Sequence, residues 1–169
     1  PVAGADLVFI AVGTPTRRGD GYADLKYVYA AAEEVAAYLQ KYTVIVDKST
    51  VPVGTAREVE RVIRKANPAA DFDVASNPEF LREGSAVNDL LHPDRIVIGG
   101  NSDRALALMQ KVYAPFSAPV VVTDITSAEM IKHAANSFLA LKISYINEIA
   151  NLCEVTGSDV EDVRKGVGL

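Results

Sequence analysis

The sequence contains one cysteine, Cys153, two histidines, His92 and His133, and no tryptophan. A single thiol excludes an intramolecular disulfide, and with only two histidines beside it no Cys/His metal set can be assembled. A reducing cytoplasm is the compartment this cysteine usage implies. No apolar run of membrane length and no charged-then-apolar leader is found, so neither a transmembrane helix nor a signal peptide is expected. Basic charge is also scarce: 17 Lys and Arg stand against 22 Asp and Glu, a net charge of −5. The basic residues are dispersed rather than gathered on one stripe, so no nucleic acid or membrane partner is expected, and an anionic ligand must find local donors.

What the chain does have is material for a core. At 169 residues, 49% of them hydrophobic, it suits one domain, or one domain and part of another. Pro1 runs almost at once into a strand and the chain stops at Gly166-Val167-Gly168-Leu169, so both ends read as breaks within a longer protein.

Leu7 to Val12 is a short apolar run closed by Gly13-Thr14-Pro15-Thr16, the pattern of a buried parallel strand delivered into a ligand-facing loop. Asp24 is placed to cap a helix with apolar positions Leu25, Val28, Ala32, Val35 and Leu39. The plan repeats. Thr43 to Asp47 reads as a strand, Lys48 to Gly54 as a loop, and Thr55-Ala56-Arg57-Glu58 as a capping box opening a helix that Asn67-Pro68 ends. Phe72 to Ala75 is a third strand, Arg95 to Gly99 a fourth and Pro119 to Val122 a fifth, with a helix from Ser102 to about Tyr113 between the last two. This alternation predicts an α/β fold with a Rossmann-like parallel sheet over residues 1–122, which the family resemblance given below makes a partial one, its N-terminal βα unit missing.

Residues 123–169 read as a helical region. Thr126-Ser127-Ala128-Glu129 is a second capping box, and the helix it opens runs to about Glu154 with Ile131, Phe138, Tyr145 and Leu152 spaced by seven. At 1.5 Å per residue that is roughly 40 Å, more than a small sheet needs, so the helix is expected to connect to something else. Gly157 suits the residue after a helix end, and Ser158-Asp159-Val160-Glu161 would cap one more helix.

Chemistry concentrates in Ser76-Asn77-Pro78-Glu79-Phe80-Leu81-Arg82-Glu83-Gly84-Ser85-Ala86. Pro78 fixes its own φ and pushes Asn77 into an extended conformation, which ends the incoming strand at the sheet edge where α/β proteins keep their ligands. Glu79 and Glu83 are four apart, so one helical turn after Pro78 would place both on one face, where like charges need a cation, a ligand or a shared proton. A solvated acidic turn is the alternative. The loops Gly13 to Thr16 and Ser49 to Gly54 offer hydroxyls and backbone N–H groups of the kind that hold a ribose or pyrophosphate, although ordinary βα turns use the same residues. Lys132 and Asn136, one turn apart on the long helix, are two donors suited to a developing oxyanion, or else a surface lysine and a helix-interior asparagine.

Taken together, Val12 to Thr16, Ser49 to Thr55, Ser76 to Ala86, Pro93 to Gly99, and Ser127 to Lys132 with Asn136 resemble the UDP-glucose/GDP-mannose dehydrogenase family in order and spacing, over essentially the whole chain. The branch acting on UDP-glucose is the most similar. GDP-mannose dehydrogenases tend to have Leu-Pro-Gly where this chain has Val51-Pro52-Val53-Gly54, and the UDP-N-acetylmannosamine branch tends to have Arg where Phe80 stands. The resemblance implies an NAD-dependent, four-electron oxidation of the C6 alcohol of a nucleotide sugar, UDP-glucose above all, through an aldehyde captured by a cysteine and a thioester that water hydrolyses. It further implies that Val12, Gly13, Thr14, Pro15, Thr16, Ser49, Thr50 and Val51 line the NAD site, with Glu83 by the nicotinamide. Glu79 would activate the hydrolytic water with help from Thr50. Lys132 and Asn136 would stabilise the charge on the C6 oxygen, and Phe80, Leu81 and Arg82 would touch the sugar nucleotide. A homodimer through the long helix is expected.

Two parts of the family's pattern are not in this sequence: the opening strand with its G-x-G-x-x-G turn, and the glycine-rich segment with the nucleophilic cysteine, for which Cys153 is not the match. The chain is therefore expected to be inactive by itself. A GDP-mannose or UDP-N-acetylmannosamine dehydrogenase, a hydroxyacid dehydrogenase with a Lys/Asn helix pair, and a non-catalytic oligomerisation module stand as alternatives.

Overall fold

An unbroken run of β-branched residues needs apolar cover on both faces, and Thr43–Asp47 (β2) is buried at every position. In the computed structural model, which describes residues 2–168, it lies between Leu7–Ile10 (β1) and Phe72–Ser76 (β3), parallel to both. Ile96–Gly100 (β4) and Val120–Thr123 (β5) complete a five-stranded sheet of order β1-β2-β3-β4-β5. Side chains alternate along the strands between two cores. Ile45, Phe72 and Val74 pack with Val28 and Ala32 of α1 (Lys26–Ala36) and with Val59 and Ile63 of α2 (Thr55–Ala66). Val44, Val46, Ala75 and Ile98 pack with Ala105 and Met109 of α4 (Asp103–Tyr113), the helix that follows the short α3 (Ala86–Leu91).

The sheet is mostly parallel rather than wholly so. β3 pairs antiparallel with β4 through Ala75↔Gly100 and Ser76↔Gly99, and β4 is parallel to β5. A parallel crossover needs a helix that packs on the sheet, and the only helix between β3 and β4, α3, buries none of its residues. The chain therefore turns back. Gly99 leaves room for the start of α5 (Ile125–Thr156): a Cβ there would meet Ala128, the Asp124 carbonyl at 3.0 Å and Ile125 at 3.1 Å.

Both capping boxes give way to other partners. α2 takes Gly54 as its N-cap, with the Thr55 hydroxyl donating to the Pro52 carbonyl and Glu58 paired with Arg61, while the N–H groups of Gly54 and Ala56 donate to Glu129. At the start of α5 the capping side chain is Asp124, which accepts from the Ser127 N–H at 2.9 Å and from its hydroxyl at 2.6 Å. Asp24 accepts the Lys26 N–H, but α1 ends at Ala36, so Leu39 is buried beyond the helix rather than on it. Ser102 caps α4 as expected, and Asp159 rather than Ser158 caps α6 (Val160–Val167). α5 has 32 residues, about 48 Å at 1.5 Å each. Cys153 is buried in its last turn.

The chain forms two compact units, one up to Lys132 and one from His133 onward. Among the described residues no helix is long and apolar enough to cross a membrane.

Candidate active site

β1, β2 and β3 run parallel, so the loops at their carboxyl ends share one edge of the sheet. The first two are laced together. Val12 N–H donates to the Ser49 hydroxyl at 3.0 Å, that hydroxyl donates back to the Val12 carbonyl at 2.8 Å, and the Thr14 hydroxyl donates to the Thr50 carbonyl at 2.8 Å. The Ser49 and Thr14 hydroxyls thus set the shape of the loop pair. Gly13, Pro15 and Thr16 are exposed, Thr50 is half-buried, and Val51 is buried in the core below.

The third loop meets α5 about two turns into the helix. Lys132, 8% exposed at its side chain, places its ammonium 3.0 Å from Glu79 Oε1 and donates to the Glu79 carbonyl at 2.5 Å. Glu79 Oε2 accepts the Leu81 N–H at 2.6 Å. Burial raises the Glu79 carboxyl, but the Leu81 N–H, the Lys132 ammonium and the charge of Lys48 outweigh it and hold the group below the usual carboxylate range. Glu79 is ionised at neutral pH. Behind it, Lys48 donates to Asn77 Oδ1 at 3.1 Å, Tyr113 donates to the same oxygen, and Asn77 Nδ2 donates to the Val97 carbonyl at 2.7 Å. Burial depresses the Lys48 ammonium while the Glu79 charge opposes that effect. Phe80 lies between cations, 3.9 Å from the Arg95 guanidinium and 5.3 Å from the Lys132 ammonium.

The helical turn expected after Pro78 does not form, because the Glu79 backbone is drawn to Lys132 and helix starts only at Ala86. Glu79 and Glu83 therefore do not share a face: Glu79 turns to Lys132, and Glu83 is exposed. Leu81 and Arg82 are exposed too, and Arg82 is held by Asp89 of α3, at 2.6 Å. Asn136 is exposed on α5 and belongs to the second unit. Lys48 and Asn77 were not singled out from sequence as site side chains. Their only signals were a charge directly after an apolar strand and an amide directly before Pro78.

Asp47 continues the alternation of β2 onto the Ile45 face, where it is 1% exposed and neither carboxyl oxygen has a hydrogen-bond partner among the described residues. Burial first, and then the charge of Glu129, push its carboxyl up to about 7; the Ser49 N–H, which donates to the Ile10 carbonyl, offsets little of this. A carboxyl raised on folding withdraws stability as pH climbs from its unfolded value through its folded one. Between pH 5 and 8.5, where ordinary carboxylates no longer titrate, the loss is expected to be about 2–3 kcal/mol. Urea unfolding at the two pH values measures it. Asp47→Asn should remove most of that drop, and an unchanged drop would assign it to another group.

A mostly parallel sheet that gathers donor-bearing loops and a buried lysine–carboxylate pair at one edge has the design of a dinucleotide-binding oxidoreductase domain. The profile of the UDP-glucose/GDP-mannose dehydrogenase family, NAD binding domain, matches residues 1–117, and that of the family's central domain matches residues 126–169. The chain belongs to the UDP-glucose/GDP-mannose dehydrogenase family. A UDP-glucose 6-dehydrogenase of Rhizobium meliloti is 61% identical over 99% of this chain and 40% of its own length; one of Bacillus subtilis is 53% identical over 99% and 36%. Among solved structures, a UDP-glucose dehydrogenase of Pyrobaculum islandicum matches with TM-score 0.94 at 47% identity, over 99% of this chain and 40% of that one. A GDP-mannose dehydrogenase of Pseudomonas aeruginosa in a ternary complex matches with TM-score 0.93 at 32% identity, over 98% and 39%. The chain thus spans about two fifths of the relatives it matches. The family's enzymes are NAD-dependent, and NAD is the cofactor of the matched domain.

Proposed function

We propose that this chain is an internal part of an NAD-dependent nucleotide-sugar dehydrogenase of the cytoplasm that oxidises UDP-glucose to UDP-glucuronate through an aldehyde and a cysteine thioester. Residues 1–122 would be part of its NAD-binding domain and residues 123–169 its central helical region. The observation that carries the reading is the Lys132–Glu79 pair, which sets a buried cation and an ionised carboxylate side by side at the carboxyl edge of parallel strands. Bound there, NAD would take up hydride. Val12 to Thr16 and Ser49 to Val51 would line its site, with Glu83 toward the nicotinamide. Lys132, with Asn136, would stabilise negative charge on the C6 oxygen. Glu79 would take a proton from the hydrolytic water that Thr50 helps to hold. Phe80, Leu81 and Arg82 would meet the sugar nucleotide.

α5 supports a second expectation. Phe138, Leu141, Tyr145 and Leu152 are each more than half exposed, an apolar face suited to pairing with a second copy. In the full-length protein, NADH formation should show its highest kcat/KM with UDP-glucose, ahead of GDP-mannose and UDP-N-acetylmannosamine; the reverse order would move the substrate to another branch. The 169-residue chain alone is expected to form no NADH and to sediment as a dimer or larger. Turnover by the chain alone would overturn the assignment of the nucleophile elsewhere. A clean monomer at high concentration would remove the dimer.

A further inference from the structure

Gly54 has no side chain with which to cap the helix it opens, and the first N–H groups of any helix lack partners within it. The partner here comes from far along the chain. Glu129, 3% exposed, accepts from the Gly54 N–H at 2.6 Å through Oε2 and from the Ala56 N–H at 2.9 Å through Oε1. A carboxylate at a helix N-terminus is favoured by the helix dipole as well as by its hydrogen bonds. Three residues further on, Lys132 reaches the Glu79 carbonyl and carboxylate. One turn of α5 thus grips two successive loops of the sheet edge, the β2–α2 loop through a buried anion and the β3–α3 loop through a buried cation. The turn itself has little freedom, since Ala128, immediately before Glu129, rests against Gly99 of β4.

We propose that Glu129 is a positioning residue that ties the Ser49–Gly54 loop to the helical turn bearing Lys132, so that the loop and the lysine keep one fixed relation. In the enzyme this makes dinucleotide binding and oxyanion stabilisation depend on one carboxylate that touches neither ligand, an inference that rests on the reading above for the roles of the loop and of Lys132. A mere helix cap would stabilise α2 without linking the two functions.

The test compares Glu129→Gln, which keeps size and one acceptor, with Glu129→Ala. In the 169-residue chain, hydrogen exchange read by mass spectrometry should speed up on order of tenfold or more in peptides covering residues 48–56, with β2 and β3 still protected; tenfold is the scale of one charge-assisted hydrogen bond. In the full-length enzyme, Glu129→Gln should raise KM for NAD about tenfold and also lower kcat. Adding Lys132→Ala to Glu129→Gln should lower kcat by less than the product of the two single effects, since both act on one arrangement. Unchanged exchange at residues 48–56 in Glu129→Gln overturns the tie, as does a strictly multiplicative double variant with KM for NAD unmoved. Should the wild-type enzyme fail to oxidise UDP-glucose while exchange still responds, the substrate reading fails and the tie stands. If Glu129→Ala unfolds, the glutamine variant alone decides.

Discussion

Glu79→Gln in the full-length enzyme is expected to form a burst of NADH and then stall with substrate attached to a cysteine outside this chain. The amide is nearly isosteric and its oxygen can still accept from Lys132, so the loop pinned by Pro78 should keep its path. It cannot accept from both Lys132 and the Leu81 N–H, as the carboxylate does, so a stability loss on the order of 1 kcal/mol is expected alongside. What the amide cannot do at all is take a proton from water. General-base help is typically worth roughly 10²- to 10⁴-fold, and in the proposed reaction it would be needed for thioester hydrolysis more than for the first hydride transfer. Intact-mass spectrometry after mixing with UDP-glucose and NAD should therefore find the adduct. Because its partners hold the Glu79 carboxyl below the usual carboxylate range, the acid limb of kcat in the wild type should also fall below that range. Unchanged steady-state turnover in the glutamine variant would return Glu79 to a structural role, and loss of both burst and adduct would move its role to the first oxidation.

The second large effect belongs to Lys132→Ala. Its ammonium is buried and already fixed on two Glu79 oxygens, so in the proposed mechanism it would meet the charge developing on the C6 oxygen without reorganising. Removing such a donor costs on the order of 10²-fold or more in kcat. The NAD dissociation constant should change little, because the loops proposed to hold the dinucleotide keep their own hydrogen bonds. Glu79 retains the Leu81 N–H and the charge of Lys48, which keep it ionised in the variant. A variant with kcat intact and only KM for UDP-glucose raised would make Lys132 a binding residue instead.

Much of this arrangement was legible before any coordinates. Apolar runs located all five strands, apolar spacing located α1 and α5, capping residues located α2 and α4, and Asn67 and Gly157 marked helix ends, since each of these signals is read within a turn or two of the residue that carries it. The opening stretch at Ser76 to Ala86 and the start of the long helix were also visible as places where charge and donors gather. That Lys132 and Glu79 meet was not, because no local rule joins residues 53 positions apart.

The sequence by itself determined the elements, their order and the loops that carry polar groups, because side-chain periodicity and backbone preferences act locally. Tertiary structure alone decided the rest. β4 runs against β3 because α3 covers nothing, a matter of packing that α3's own residues do not announce. Glu79 and Glu83 part because a buried lysine reaches only the first of them. Glu129 leaves the capping box its spacing suggests for two N–H groups 75 and 73 positions away, since a buried carboxylate settles on the donors that most fully satisfy it, wherever the fold delivers them.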